Sequence, residues 1–349
     1  MHDDISTAGK RWRMRRLADA QGFFSMVAID QRPPIFAQLA RALGCTPDEV
    51  TFDQIVEVKR LLAQGLAAEA SALLVDPNWG YPAAADVLNP RAGLVMTIED
   101  HRTTPDRRSS CIADWSVDKI LALGGDAVKL LAWYHPRASA AVREHQQALV
   151  RRVGEDCARC DLPFVLELLL YPLEVDDDDA YVEDQAKRAD EVLQSVLTFA
   201  EARYQVDLFK LESPWPAEQV PAPDAPGAGS CAQAFAALHQ ACAGRPWVML
   251  SAGASAPAFE RVVGHAARAG AAGFLAGRAL WSDALALWPD RPAMAAQLAG
   301  EGCERLARLK RLLTSEGRPW QAPGCRPEAR AEGEFARARQ TSTLRAEPG

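Results

Sequence analysis

Two lysines are the residues of this chain best suited to covalent chemistry. Basic positions are filled overwhelmingly by arginine, and the only lysines are Lys10, Lys59, Lys119, Lys129, Lys187, Lys210 and Lys310. Of these, only Lys129 (Asp-Ala-Val-Lys-Leu-Leu) and Lys210 (Asp-Leu-Phe-Lys-Leu-Glu) stand in apolar patterns of strand type. Arginine cannot shed its proton, whereas a buried lysine can become a neutral amine and attack a carbonyl. Two ammonium groups in one pocket disfavour each other's charge, and burial acts in the same direction. A pair of snorkelling or salt-bridged lysines is the competing reading.

Carboxylates and small residues fall at matching places. Glu167 lies two positions beyond Val165 and two before Leu169, a lone carboxylate on an apolar strand face. Desolvation there raises a carboxyl toward the range useful for proton transfer. Asp30, Asp76 and Glu99 close the first three apolar runs, and Ser251 and Arg278 close the last two. Lys210 and Glu212 are two apart and share a face, so a structural ion pair is an open reading of Glu212. Ser251-Ala252-Gly253-Ala254-Ser255 and Ala276-Gly277-Arg278 are small-residue turns whose N–H groups can approach an anion, with Arg278 adding a charge. No metal site is expected. The 6 histidines include no H-x-x-x-H pair and no cluster at a strand end, although His135 follows the fourth run directly.

The elements that must position these residues are eight short apolar runs, at 23–30, 71–76, 93–99, 126–134, 163–171, 206–214, 247–253 and 271–278. Amphipathic stretches of helical period separate them, at 53–69, 117–123, 140–160, 181–203, 231–243 and 256–269. Near-continuous apolar strands belong to a sheet covered on both faces, and strand–helix repeated eight times is the pattern of a (β/α)8 TIM barrel in the α/β class. A doubly wound open sheet is the alternative, disfavoured by the count and by the lack of an early glycine-rich nucleotide loop. A barrel builds its site at the C-terminal ends of its strands, which is where the charged residues cluster. Residues 1–322 are expected to form one barrel with an N-terminal helix, and 323–349, charged and aperiodic, a disordered tail. The Pro- and Gly-rich 220–230 segment reads as an exposed loop, and the aspartate run at 176–179 as a solvated one.

Composition narrows the function. The chain has 349 residues, enough for a barrel of about 250 with extensions. A net charge of −7 argues against nucleic acid as a partner while leaving room for a small anion held by local arginines. No apolar run is long enough to span a bilayer. The basic stretch from Lys10 to Arg16 has no apolar segment behind it, so it reads as a helix at the start of the domain rather than a secretory leader. Reduced thiols and a cytoplasmic location are the corresponding expectation. Cys157 and Cys160 form the only C-x-x-C, with no second half for zinc, and their helical spacing makes them core residues.

Several motifs together resemble tagatose 1,6-bisphosphate aldolases. They are Ala28-Ile29-Asp30-Gln31-Arg32, Val75-Asp76-Pro77, Asp126-Ala127-Val128-Lys129, Phe164-Val165-Leu166-Glu167, Val206-Asp207-Leu208-Phe209-Lys210-Leu211-Glu212, Leu250-Ser251-Ala252-Gly253 and Gly277-Arg278-Ala279-Leu280-Trp281. The likeness runs in order from about Lys10 to Trp320. It implies a class I aldolase that needs no metal or other cofactor and cleaves a phosphorylated ketose to dihydroxyacetone phosphate and glyceraldehyde 3-phosphate. It further implies an imine-forming role for Lys210, a second active-site lysine at Lys129 and an acid/base at Glu167. Asp30 and Gln31 then orient the substrate, while Ser251, Gly253, Gly277 and Arg278 hold a phosphate.

The chain departs from that pattern at Pro33-Pro34, expected to stiffen the first loop, and across 101–111. Both departures bear on substrate identity. Related substrates, 6-deoxy-6-sulfofructose 1-phosphate or a deoxy-keto-gluconate phosphate, therefore stay open. So do a homo-oligomeric state and a non-catalytic sugar-phosphate sensor, although anion sensing alone gives no reason to keep two lysines.

Overall fold

The computed structural model describes residues 7–102, 104–173 and 188–320. Eight parallel strands close into a barrel in sequential order: β1 (Phe24–Ala28), β2 (Ala72–Val75), β3 (Gly93–Thr97), β4 (Ala127–Trp133), β5 (Phe164–Leu169), β6 (Leu208–Leu211), β7 (Trp247–Met249) and β8 (Gly273–Ala276). Each lies inside one of the eight apolar runs, and β8 pairs with β1 to seal the ring. Outward strand residues such as Val27, Leu73, Phe164 and Phe209 pack on the helices in the main core. That two-sided burial is why the runs are apolar without alternation.

Inside the barrel the two-residue period stacks side chains in layers. The lowest is apolar, formed by Met26, Leu74, Val95, Ala127, Val165, Leu208 and Val248 among others. Two residues further along β4, β5 and β6 stand Lys129, Glu167 and Lys210, so one layer of the interior is charged. Above it come Leu131, Leu169 and Leu250, with Trp133 and Tyr171 one step higher. The fold thus places the three charged groups on an apolar floor and under an apolar collar.

The helices in chain order are α1 (Ala8–Leu17), α2 (Pro33–Leu43), α3 (Phe52–Leu66), α4 (Gly80–Ala84), α5 (Val117–Ala122), α6 (Ala140–Arg159), α7 (Ala189–Phe199), α8 (Gly229–Ala241), α9 (Ala256–Ala269), α10 (Arg278–Leu285), α11 (Arg291–Gln297) and α12 (Cys303–Glu316). The basic N-terminal stretch is the helix expected of it. Met14 and Leu17 of α1 close the barrel floor, and ion pairs Lys10–Asp207 (2.6 Å) and Arg16–Asp126 (2.7 Å) hold the helix there. Pro33 and Pro34 do not stiffen a loop. They open α2, where their fixed φ suits a first helical turn that needs no N–H donors. Cys157 is buried in the main core and Cys160 packs against it. Between Gln219 and α8, the Pro- and Gly-rich segment is mostly exposed, pinned by Arg268–Asp224 and by the Arg261 bond to Val220 O. The aspartate run and the expected tail lie outside the described residues. Among those described, no helix is long and apolar enough to cross a membrane.

Candidate active site

Glu167 Oε2 stands between the two strand lysines, 2.7 Å from Lys129 Nζ and 2.8 Å from Lys210 Nζ. Register explains the contact: Glu167 lies opposite Lys210 on β6, and Lys129 lies one strand over, opposite Val165. All three are at least 96% buried. The approaches to Oε2 lie outside hydrogen-bond geometry, so these are ion-pair contacts with the oxygen left as an acceptor. One carboxylate oxygen is therefore in direct contact with two lysine amines.

Lys129 is gripped on its other side. Its Nζ donates to Asp30 Oδ2 (2.9 Å) and to Glu99 Oε1 (2.6 Å), and Glu99 Oε2 also accepts from Leu131 N (3.1 Å). Arg32 Nη1 donates to Glu99 O at 3.0 Å, and Nη2 lies 3.5 Å from Glu99 Oε1. Burial by itself would raise the Asp30 carboxyl, but Lys129, Lys210 and Arg32 outweigh it and hold the group well below the usual carboxylate range. Asp30 is thus a fixed anion at neutral pH, suited to accept hydroxyl hydrogen bonds rather than to shuttle protons. Three cations and three carboxylates share this interior, so no net charge is stranded there.

A cavity of roughly 450 Å³ opens above Lys210, walled by Glu167, Trp133, Ser251, Gly277 and Arg278 among others. At its far side Gly253 adopts φ +86, and a Cβ there would lie 2.8 Å from Arg278 Nη1. The left-handed backbone there favours glycine, and its lack of a side chain lets the guanidinium lie against the loop after β7. Gly277, which precedes α10, is equally tight: a Cβ would fall 2.5 Å from Gln31 Nε2 and 2.9 Å from Ala28 O. Gln31 is thereby wedged between β1 and β8, its buried Oε1 without a hydrogen-bond partner among the described residues. Small residues, a helix N-terminus and an arginine together make a cradle for an anion.

Every residue singled out from sequence as catalytic or substrate-binding, Asp30, Gln31, Lys129, Glu167, Lys210, Ser251, Gly253, Gly277 and Arg278, converges on this end of the barrel. Three other readings need revision. Asp76 is not in the site: its Oδ1 accepts from Asn78 N (3.0 Å) and Trp79 N (2.8 Å), its Oδ2 from Gly80 N (3.1 Å), and it pairs with Lys59. Glu212 accepts from Leu170 N at 2.6 Å, tying β6 to the end of β5, while Lys210 pairs with Glu167. Glu167 does not face apolar surroundings, because the neighbouring strands bring lysines to both sides of it. His135 accepts from Arg137 N (3.1 Å), stacks edge-on with Tyr171 and organises the turn after β4.

Arg32 and Trp133 are site residues that sequence reasoning passed over. The signals were present: Arg32 adjoins Asp30-Gln31, and Trp133 continues the inward series 127, 129, 131 along β4. Among the described residues no three His, Cys, Asp or Glu side chains form a metal-holding group.

A closed barrel with an amine, a proton acceptor and an anion cradle at its mouth has the architecture of an enzyme that works on a phosphorylated carbonyl compound. The family model for DeoC/LacD family aldolases matches residues 24–283, and the chain belongs to that family. It is 32% identical over 326 residues to the tagatose 1,6-diphosphate aldolase of Lactococcus lactis subsp. lactis, covering 90% of this chain and 98% of that one. The tagatose 1,6-diphosphate aldolase 2 of Enterococcus faecalis is 32% identical over 329 residues, covering 90% and 97%. Solved structures share the fold at low identity. One is an archaeal fructose-1,6-bisphosphate aldolase with its catalytic lysine bound to a carbinolamine intermediate (TM-score 0.53, 16% identity, 87% of this chain and 99% of that one). Another is the fructose-bisphosphate aldolase of Plasmodium falciparum (TM-score 0.62, 12% identity, 91% and 97%). The chain is an aldolase.

Proposed function

We propose that this aldolase is of class I and cleaves a ketose 1,6-bisphosphate, tagatose 1,6-bisphosphate or an epimer, through an imine on Lys210. The observation that carries the reading is the row Lys210–Glu167–Lys129, with one carboxylate oxygen in contact with both nitrogens. Lys210 passes a proton to Glu167 and its free amine adds to the C2 carbonyl. Loss of water from the carbinolamine leaves an iminium ion. Glu167, having returned its proton during that dehydration, accepts the C4 hydroxyl proton. The C3–C4 bond then breaks, and its electron pair enters the iminium to give an enamine while glyceraldehyde 3-phosphate departs. Protonation at C3 and hydrolysis of the imine release dihydroxyacetone phosphate and restore Lys210.

Lys129 and Asp30 orient hydroxyls, and Gln31, Ser251, Gly253, Gly277 and Arg278 hold the C1 phosphate, which fixes C2 against Lys210. Relatives named as tagatose 1,6-diphosphate aldolases support this choice of sugar. A substrate that carries phosphate charge and does not cross membranes unaided supports a cytoplasmic location. Borohydride reduction in the presence of dihydroxyacetone phosphate tests the mechanism. The adduct is expected on Lys210 by peptide mass mapping, and Lys210→Arg is expected to abolish both adduct and turnover. An adduct on Lys129 would reverse the two lysine roles.

A further inference from the structure

Beside the cavity over Lys210 lies a second of roughly 390 Å³, and Gln31 and Trp133 line both. By the mechanism proposed, C2 of the ketose and its C1 phosphate are held in the first. Asp30 and Lys129, which orient its hydroxyls, wall the second, so the distal carbons extend there. The carboxylates of Asp30, Glu99 and Asp100 supply that space with hydrogen-bond acceptors. A donor of a different kind comes from the loop after β3.

Ser109 of that loop lines the second cavity and is only 2% exposed. Its backbone is pinned from α6, with Ser109 O 2.8 Å from His145 Nε2 and Ser109 N donating to Gln146 Oε1 at 2.9 Å. Gln146 is fully buried, and its Nε2 donates to Trp133 O (2.6 Å) and to Ser109 Oγ (3.0 Å). The orientation of this amide is forced, because the Ser109 N–H must meet an oxygen and the Trp133 carbonyl must meet an N–H. The Ser109 hydroxyl is therefore the acceptor in its bond with Gln146. Its own hydrogen donates to no acceptor among the described residues. A buried hydroxyl hydrogen without an acceptor is costly, and the cavity is where this one can find a partner. The bond it accepts also polarises the O–H and strengthens it as a donor.

We propose that Ser109 is a specificity-determining residue whose hydroxyl donates to the C5 hydroxyl oxygen of the ketose, with Gln146 as the positioning residue that aims it. This rests on the Schiff-base reading above. The C4 oxygen is committed to Glu167 for proton transfer, and C6 carries the second phosphate. C5 is the distal hydroxyl left to be read. It becomes C2 of the departing aldehyde, so the contact selects the aldehyde half of the reaction and leaves the dihydroxyacetone phosphate half untouched.

The aldol-addition direction tests the contact. Dihydroxyacetone phosphate is offered with glyceraldehyde 3-phosphate or with 3-oxopropyl phosphate, the same aldehyde without its 2-hydroxyl. Borohydride trapping of dihydroxyacetone phosphate is run on the same preparations. In Ser109→Ala the preference for the hydroxylated aldehyde, as a ratio of kcat/KM values, is expected to fall roughly 3- to 10-fold with trapping unchanged. Gln146→Glu keeps the size of the side chain but cannot donate to Ser109 Oγ, and its carboxylate takes the Ser109 hydrogen instead. The preference should then fall to the level of Ser109→Ala although Ser109 is still present. An unchanged ratio in Ser109→Ala overturns the proposal. So does an equal loss on both aldehydes, which makes Ser109 a brace for the loop. A wild-type preference in folded Gln146→Glu overturns the role given to Gln146. Failure of the wild type to trap dihydroxyacetone phosphate overturns the Schiff-base reading and this proposal with it.

Discussion

Two of the lysine–carboxylate clusters among the described residues are buried to almost the same depth and are built differently. Lys59 and Asp76 are both fully buried, and Lys129, Lys210 and Glu167 nearly so. Asp76 spends its oxygens on three backbone N–H groups of its own turn and on Lys59, which also donates to Ile29 O (2.7 Å). Every strong acceptor in that cluster is used, and neither of the two cavities reaches it. Glu167 Oε2, by contrast, touches two ammonium groups without a hydrogen bond of good geometry, and a cavity opens beside it. Burial of a lysine is therefore no mark of catalysis. What separates the clusters is whether the carboxylate still has capacity to accept a proton, and whether a substrate carbon can reach the amine.

The largest effect that tests this difference is at Glu167. In the proposed role of acid/base it should contribute on the order of 10²–10⁴-fold to rate. Glu167→Gln is expected to lower kcat by that amount while dihydroxyacetone phosphate can still be trapped on Lys210, slowly. A variant with normal turnover but reduced thermal stability would make Glu167 a second Asp76, and the contrast between the clusters would fail.

The reciprocal change is at Lys59. Lys59→Met leaves the Asp76 carboxylate buried without its counter-charge, a defect that costs about 3–5 kcal/mol. A clear loss of Tm is expected, with kcat per folded molecule within about 3-fold of wild type by the same logic, since neither residue faces the cavity. Adding Asp76→Asn should recover part of the stability, because it removes the stranded charge. Turnover that collapses at unchanged Tm would place Lys59 in the catalytic machinery.

Much of this architecture was legible beforehand because it rests on local patterns. All eight strands fall within the apolar runs, since strands buried on both faces have no polar positions to blur them. Helix α9 (Ala256–Ala269) was bounded to the residue, with Ser255 as N-cap and Gly270 in the left-handed conformation after it. Lys129, Glu167 and Lys210 were visible as charged side chains in apolar strands. What sequence did not reveal was their partners. Whether Glu167 stands alone or between lysines depends on the stagger of β4, β5 and β6, a property of barrel closure that no strand carries by itself. Asp76 and Asp30 look alike as acidic residues ending apolar runs. One is spent on Lys59 and a backbone turn because α3 and α4 pack there; the other faces the interior.

His101 stands between the two clusters and gives the smallest and most discriminating effect. Its ring packs edge-on against Phe36 and Trp79, and its Nδ1 lies 3.3 Å from Asp100 Oδ1. Burial and the nearby Arg32 charge depress its pKa from 6.5 to about 4, against the opposing pull of Asp100 and Asp76. In the unfolded chain the imidazole takes up its proton near 6.5, and in the native state only near 4. Between those values the unfolded state binds more protons, so stability falls as pH falls through that window and is flat above and below it on this account. The group is partly exposed, so solvent screening keeps the effect small, on the order of 1–2 °C in Tm. His101→Gln should remove that component: the loss of Tm between about pH 7.5 and pH 5 should be smaller in the variant than in wild type by this amount. Superimposable Tm–pH curves would show that burial and the Arg32 charge do not hold the ring neutral in the folded protein.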